Sequence, residues 1–153
     1  MHMRKGRRNL LGTGTMAAAL TAGLVVMAPA AHAATGSARI SAAQAGSFGF
    51  ASATWTWSGP GRLTNIDLHV SDDECNSNPV YVKFRVTRTN GATWTTGTGR
   101  YDYNGCSGNG TVHPDLSLSD DFNIRNVALV LCNERTGVDQ CYTGPNSGNN
   151  PLA

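Results

Sequence analysis

Two stretches of the chain alternate cleanly between apolar and polar positions. In Val80 to Arg88, the residues Val80, Val82, Phe84 and Val86 fall on one side, and Tyr81, Lys83, Arg85 and Thr87 on the other. In Leu63 to Ser71, Ile66, Leu68 and Val70 face one way, and Asn65, Asp67, His69 and Ser71 the other. A period of two is the signature of a half-buried strand. Phe48 to Trp57 follows the same rule, with Ala51, Ala53, Trp55 and Trp57 sharing a face. The run Asn126-Val127-Ala128-Leu129-Val130-Leu131-Cys132 instead holds apolar residues at consecutive positions, as expected of a strand buried on both faces. A central strand over Phe122–Cys132 follows, closed by a short strand over Cys141–Thr143.

The turns fix the remaining expectations. Asn90-Gly91 between two strand patterns predicts a two-residue type I′ hairpin. That turn pairs Thr89 with Ala92, Arg88 with Thr93 and Thr87 with Trp94. Trp94 then lies on the polar face, diagonal to Arg85. Arg100–Tyr103 is a short strand, and Thr111–Ser119 an edge strand, because Pro114 lacks an amide to donate. No segment keeps helical periodicity over three turns. About seven to eight short strands with regular turn punctuation predict an all-β fold, a small antiparallel β-sandwich, with a small β-barrel as the alternative.

The N-terminus follows a different pattern. Arg4, Lys5, Arg7 and Arg8 precede an apolar stretch from Leu10 to Ala30, and Ala31-His32-Ala33 forms a small-x-small cleavage site. These are the three zones of a secretory signal peptide. Gly12, Thr13, Gly14, Thr15 and the missing stop-transfer charges argue against a membrane anchor. The Arg7-Arg8 pair is also compatible with twin-arginine export. The expected organisation is residues 1–33 a cleaved signal, 34–47 a flexible leader, 48–143 one β-sandwich domain, and 144–153 a flexible tail. The product is a secreted, extracellular monomer that is not membrane-embedded.

Cleavage changes the charge. The chain has 12 basic and 10 acidic residues, and four of the basic ones leave with the signal. Eight basic against ten acidic groups remain, a net charge of −2 with neutral histidines. Nothing then favours nucleic acid as a partner.

All four cysteines lie beyond the signal, and an even count in an exported chain reads as two disulfides. Four cysteines allow three pairings. Cys75–Cys106 and Cys132–Cys141 are favoured, because the second pair closes a hairpin-sized loop. Without a C-x-x-C pair, zinc is disfavoured.

Catalysis finds little support. Asp67 with His69 and Asp115 with His113 form two Asp–His couples, two residues apart on one strand face. Neither has a placed nucleophile, and G-x-S-x-G and H-E-x-x-H are absent. Asp72, Glu74, Asn76 and Asn78 alternate as an oxygen-rich run suited to calcium, although Ser77 and Lys83 break the EF-hand pattern. No other cofactor is implied.

Aromatic residues carry the binding signal. Trp94, Tyr81, Trp55, Trp57, Tyr101 and Tyr103 are numerous for a domain with little charge. Trp94 and Tyr81, with Arg85 beside them, are the candidate ligand-binding residues, on a sheet face where sugar rings can stack. The expected function is a small secreted, disulfide-stabilised, non-catalytic binding protein for an extracellular ligand, a polysaccharide or a protein. A glycan- or cell-wall-binding module is the first alternative. An inhibitor of an extracellular hydrolase, presenting Asn133 to Gln140, is the second.

An alanine-rich export signal followed by a compact two-disulfide β-domain resembles the small exported proteins of high-GC Gram-positive bacteria. The cysteine separations of 31 and 9 depart from the enediyne-binding apoproteins of that size class. The reactive-loop setting of the subtilisin-inhibitor proteins has no counterpart either, so no family is assigned.

Overall fold

The computed structural model describes residues 33–106 and 108–153. The signal sequence expected over residues 1–33 lies outside the described residues except for Ala33. Among the described residues, nine strands form two antiparallel sheets. One sheet runs β1-β2-β3-β7, from β1 (Ala34–Ile40), β2 (Gly49–Gly59), β3 (Arg62–Asp72) and β7 (Thr111–Ser119). The other runs β5-β4-β8-β9, from β4 (Val80–Arg88), β5 (Thr93–Thr95), β8 (Ile124–Asn133) and β9 (Gln140–Thr143). β6 (Arg100–Tyr101) pairs with β4 on the edge it shares with β5. Among the described residues, no helix is long and apolar enough to cross a membrane.

The alternating stretches pack as their pattern requires. Ile66, Leu68 and Val70 of β3 face Val80, Val82, Phe84 and Val86 of β4 across the sandwich, all buried. Ala51, Ala53, Trp55 and Trp57 of β2 complete the inner face of the first sheet. Each large apolar side chain buried in this way contributes about 1.5–3 kcal/mol. β8 is the inner strand of its sheet, between β4 and β9, and is buried on nearly every position. Both disulfides are Cys75–Cys106 and Cys132–Cys141. The second joins register partners on β8 and β9.

Three expectations are corrected. Residues 34–47 are not a loose leader. Ala34 to Ile40 pair with Trp57 to Ala51 as a full strand, and Ala38, Ile40 and Ala45 are buried. The small residues of β1 are what the neighbouring strand requires. Gly36 lies over the indoles of Trp55 and Trp57, where a Cβ would overlap both Nε1 atoms.

Residues 144–153 are not a loose tail. Gly144, Ser147 and Asn150 donate their amides to Leu129, Val127 and Arg125 at 2.7–2.8 Å, extending the cover of β8. Buried Asn150 also donates through Nδ2 to the carbonyls of Gly59 (3.2 Å) and Pro60 (3.0 Å) on the opposite sheet.

The third correction is the Asn90-Gly91 hairpin. Gly91 donates to Arg88 (3.0 Å) and carries the positive φ, 87°, while the Asn90 carboxamide oxygen accepts from Ala92. The loop therefore has three residues, a turn ending in a left-handed glycine, not the two-residue type I′ form. The register becomes Thr87 with Thr93, Val86 with Trp94 and Arg85 with Thr95. A one-residue slip exchanges the faces. Trp94 thus shares the inner face with Val86 and packs against the core.

β7 is an edge strand, as Pro114 requires. Pro114 and Asp115 (φ 55°) occupy a bulge between the pairs Leu68–His113 and Ile66–Leu116.

Candidate functional site

The outer face of the β4 sheet carries a row of tyrosines. Tyr81 points outward from β4, and its register partner is Tyr101 on β6. Their ring centroids are 5.0 Å apart, Tyr103 follows at 6.5 Å, and His113 of the other sheet lies 5.9 Å beyond. The row rises from the interior to solvent: Tyr81 is 5% exposed, Tyr101 half-buried and Tyr103 76% exposed.

Buried Asp102 fixes the turn that bears the last two rings. Its carboxylate accepts from the amides of Asp72 and Asn104 at 2.9 Å and from the Thr111 hydroxyl at 2.7 Å. Its own amide donates to Val80, and His113 Nε2 donates to the Tyr101 carbonyl at 2.9 Å. The turn is thereby held to three elements.

A carboxylate wall stands beside the row. It belongs to the loop Glu134–Asp139, closed by Cys132–Cys141. The Tyr81 hydroxyl donates to Asp139 Oδ2 at 2.5 Å, and Asp139 Oδ1 accepts from the Arg135 amide at 3.3 Å. The Glu134 amide donates to Pro79, and its carboxylate stands near the Tyr101 phenol. Burial, reinforced by Asp139, raises the Tyr81 phenol, and burial with Glu134 raises Tyr101. The Tyr81 hydroxyl holds Asp139 below the usual carboxylate range. At neutral pH the phenols are therefore neutral donors and Asp139 is an anion. Lys83 Nζ sits 5.2 Å over the Tyr81 ring. Aromatic faces beside fixed acceptors suit a ligand with one C–H face and a rim of hydroxyls.

The structure divides the residues singled out from the sequence. Tyr81 belongs to the row. Arg85 lies four residues along from Tyr81, beyond Lys83 on the same outer face, and is exposed. Trp94 is on the opposite face of β4 and its sheet, so it cannot form one platform with Tyr81. Its Nε1 donates to Asp120 Oδ2 at 2.6 Å. Trp55 and Trp57 are core residues, edge to face at 5.6 Å.

The run Asp72, Glu74, Asn76 and Asn78 uses its oxygens on itself. Asp72 accepts from the Glu74 amide, Glu74 from the Asn76 side chain, and Asn76 from the Asn78 amide. Among the described residues, no group of three or more His, Cys, Asp or Glu side chains is placed to hold a metal ion. The Asp–His couples do not form hydrogen bonds within themselves. His69 Nε2 donates to the Asn109 carbonyl (2.6 Å), and His113 to Tyr101.

The sequence marks Glu134 and Asp139 only as part of the presented loop Asn133 to Gln140, and His113 only as half of an Asp–His couple, not as partners of the tyrosines. Tyr81 and Asp139 are 58 positions apart, and no local pattern joins them. The disulfide was the available signal, since it returns the loop to the end of β8 beside Tyr81.

The fold and the site together define a two-sheet, two-disulfide all-β domain with an aromatic row on one outer face. No protein-family model, curated protein or solved structure matches the chain.

Proposed function

We propose that this chain is a small secreted, non-catalytic binding protein, and that the tyrosine row holds a glycan. The observation that carries the reading is the sequence of rings Tyr81, Tyr101 and Tyr103 at 5.0 and 6.5 Å beside the carboxylates of Glu134 and Asp139. Stacking on Tyr103 and Tyr101 supplies the apolar contact, and the carboxylates accept hydroxyl protons. Two disulfides suit an oxidising compartment. The signal-like zones of residues 1–33 supply the route of export, and the resemblance to exported proteins of high-GC Gram-positive bacteria suggests a bacterial source.

The test is retention on insoluble cell-wall and plant polysaccharides, compared between the wild type, Tyr103→Ala and Tyr101→Ala. Tyr103 is exposed, so its removal leaves the melting temperature unchanged while binding falls at least about tenfold. Binding that survives both substitutions rejects the tyrosine row as the site.

A second reading draws on Val138, which is 85% exposed on the disulfide-closed loop. A rigid loop with an apolar apex suits an inhibitor that enters the cleft of an extracellular hydrolase. Inhibition of a secreted protease, lost in Val138→Asp and retained in Tyr103→Ala, favours this reading over the first.

A further inference from the structure

The two sheets do not seal against each other along the edge formed by β5 and β7. β5 is only three residues long, and β7 is bent by its bulge. Elsewhere the inner face is closed, with Val82, Val86, Leu68 and Leu129 fully buried. At this edge Trp94 and Leu116 remain half-buried. A groove of about 230 Å³ opens there, with Phe84, Trp94, Leu116 and Leu118 as its apolar walls. Thr96, Thr98 and Ser117 place hydroxyls around it.

One charged residue lines the groove, Arg100. Its register partner is Val82, an inner-face residue, so Arg100 sits on the side of the sheet that faces the core. It is half-buried. Among the described residues the one ion pair joins Arg88 to Asp120, so no carboxylate offsets Arg100. A half-buried guanidinium without a counter-ion, on the wall of a largely apolar groove, is open to an anionic ligand.

We propose that this groove binds a small monocarboxylate with a single-ring or branched aliphatic body. The carboxylate takes the fork of Arg100, which presents parallel donors matched to two oxygens. The apolar body lies against Trp94, Phe84, Leu116 and Leu118. Size supports the class: a cavity of about 150 Å³ accommodates benzene, so this groove admits one ring with a short arm. The site lies on the opposite face of the sheet from the tyrosine row and does not depend on the glycan reading.

Trp94 makes the experiment direct. The chain has three tryptophans, and Trp55 and Trp57 are sealed in the core. Intrinsic fluorescence is titrated with 3-phenylpropanoate, and with 3-phenylpropan-1-ol as the uncharged counterpart. The expected result is a saturable change for the acid, at least about tenfold tighter than for the alcohol. Arg100→Gln is expected to remove that preference, and Arg100→Lys to retain part of it. Should Arg100→Gln fail to fold, Leu116→Ala weakens acid and alcohol alike and still reports on the groove. Equal affinity for acid and alcohol in the wild type, an unchanged preference in folded Arg100→Gln, or no saturable response overturns the proposal.

Discussion

Arg88 and Asp120 form a two-point pair: Arg88 Nε meets Asp120 Oδ2 at 2.8 Å and Nη2 meets Oδ1 at 2.9 Å. Asp120 also accepts from Trp94 Nε1 at 2.6 Å and from the Phe122 amide at 3.1 Å. The Phe122 ring lies 4.3 Å from the Arg88 guanidinium carbon. One carboxylate thus ties the β4–β5 hairpin to the turn that carries the chain from one sheet to the other.

Asp120→Ala is therefore expected to destabilise the domain. The unpartnered Trp94 indole N–H alone costs about 1–2 kcal/mol. Arg88 holds the Asp120 carboxyl below its ordinary value. A depressed folded-state value stabilises the fold above the unfolded-state value of about 4, and that stability is lost as pH falls through the folded value. Urea midpoints between pH 7 and pH 2 should fall less steeply in Asp120→Ala than in the wild type. Parallel profiles would remove Asp120 from the acid response.

Asp72 behaves in the opposite sense. Burial raises its carboxyl, against the Glu74 amide, with Asp102, Glu74 and Asp73 adding repulsion. Its stabilising contribution is fully present below the unfolded-state value and is lost as pH rises through the folded value. Asp72→Asn keeps an oxygen for the Glu74 amide and removes the buried charge. The variant should equal or exceed the wild type at pH 7 and lose that advantage near pH 3, in the same denaturation series.

The two disulfides differ in reach. By loop entropy, Cys75–Cys106 contributes about 3.7 kcal/mol and Cys132–Cys141 about 2.7 kcal/mol. The first should be the more damaging to remove by paired Cys→Ala substitution. Loss of the second should leave the sheets intact while amide exchange quickens across Glu134–Asp139. Uniform exchange throughout the domain would contradict this division.

Gly36→Ala tests whether β1 belongs to the fold. A methyl there meets the Trp55 and Trp57 indoles, and overpacking of this kind costs about 1–3 kcal/mol. Gly137 lies in the disulfide-closed loop with nothing near its Cα to obstruct a side chain, but at φ 102°. Its change to Ala strains only a loop. Gly36→Ala should therefore lower the melting temperature with a shift in tryptophan fluorescence, and Gly137→Ala without one.

Much of the fold was legible. Val80 to Arg88 alternates without a break and forms a strand over those same residues. Both disulfides follow from compartment and loop length. β1 was hidden because Ala34-Thr35-Gly36-Ser37 lacks a strand's bulky residues, and the reason is the volume of Trp55 and Trp57 opposite. The docked tail was hidden because its bonds run through main-chain amides, which composition does not report. The face of Trp94 turned on Asn90-Gly91, a dipeptide that fits two loop lengths of opposite consequence. The tyrosine row was half legible: the rings are visible in the sequence, but the carboxylate that Tyr81 meets, Asp139, lies 58 positions beyond it.

The distance in sequence between β8 and β4 has a kinetic consequence. Its partners on β4 lie 36 to 53 residues earlier, and β9 and the docked tail come after it. Sheet closure therefore awaits residues made well after β4. Such non-local pairing is slow, on the scale of milliseconds to seconds. A nascent chain that has not yet reached Asn133 has that edge of β4 bare, and it stays threadable until β8 is made.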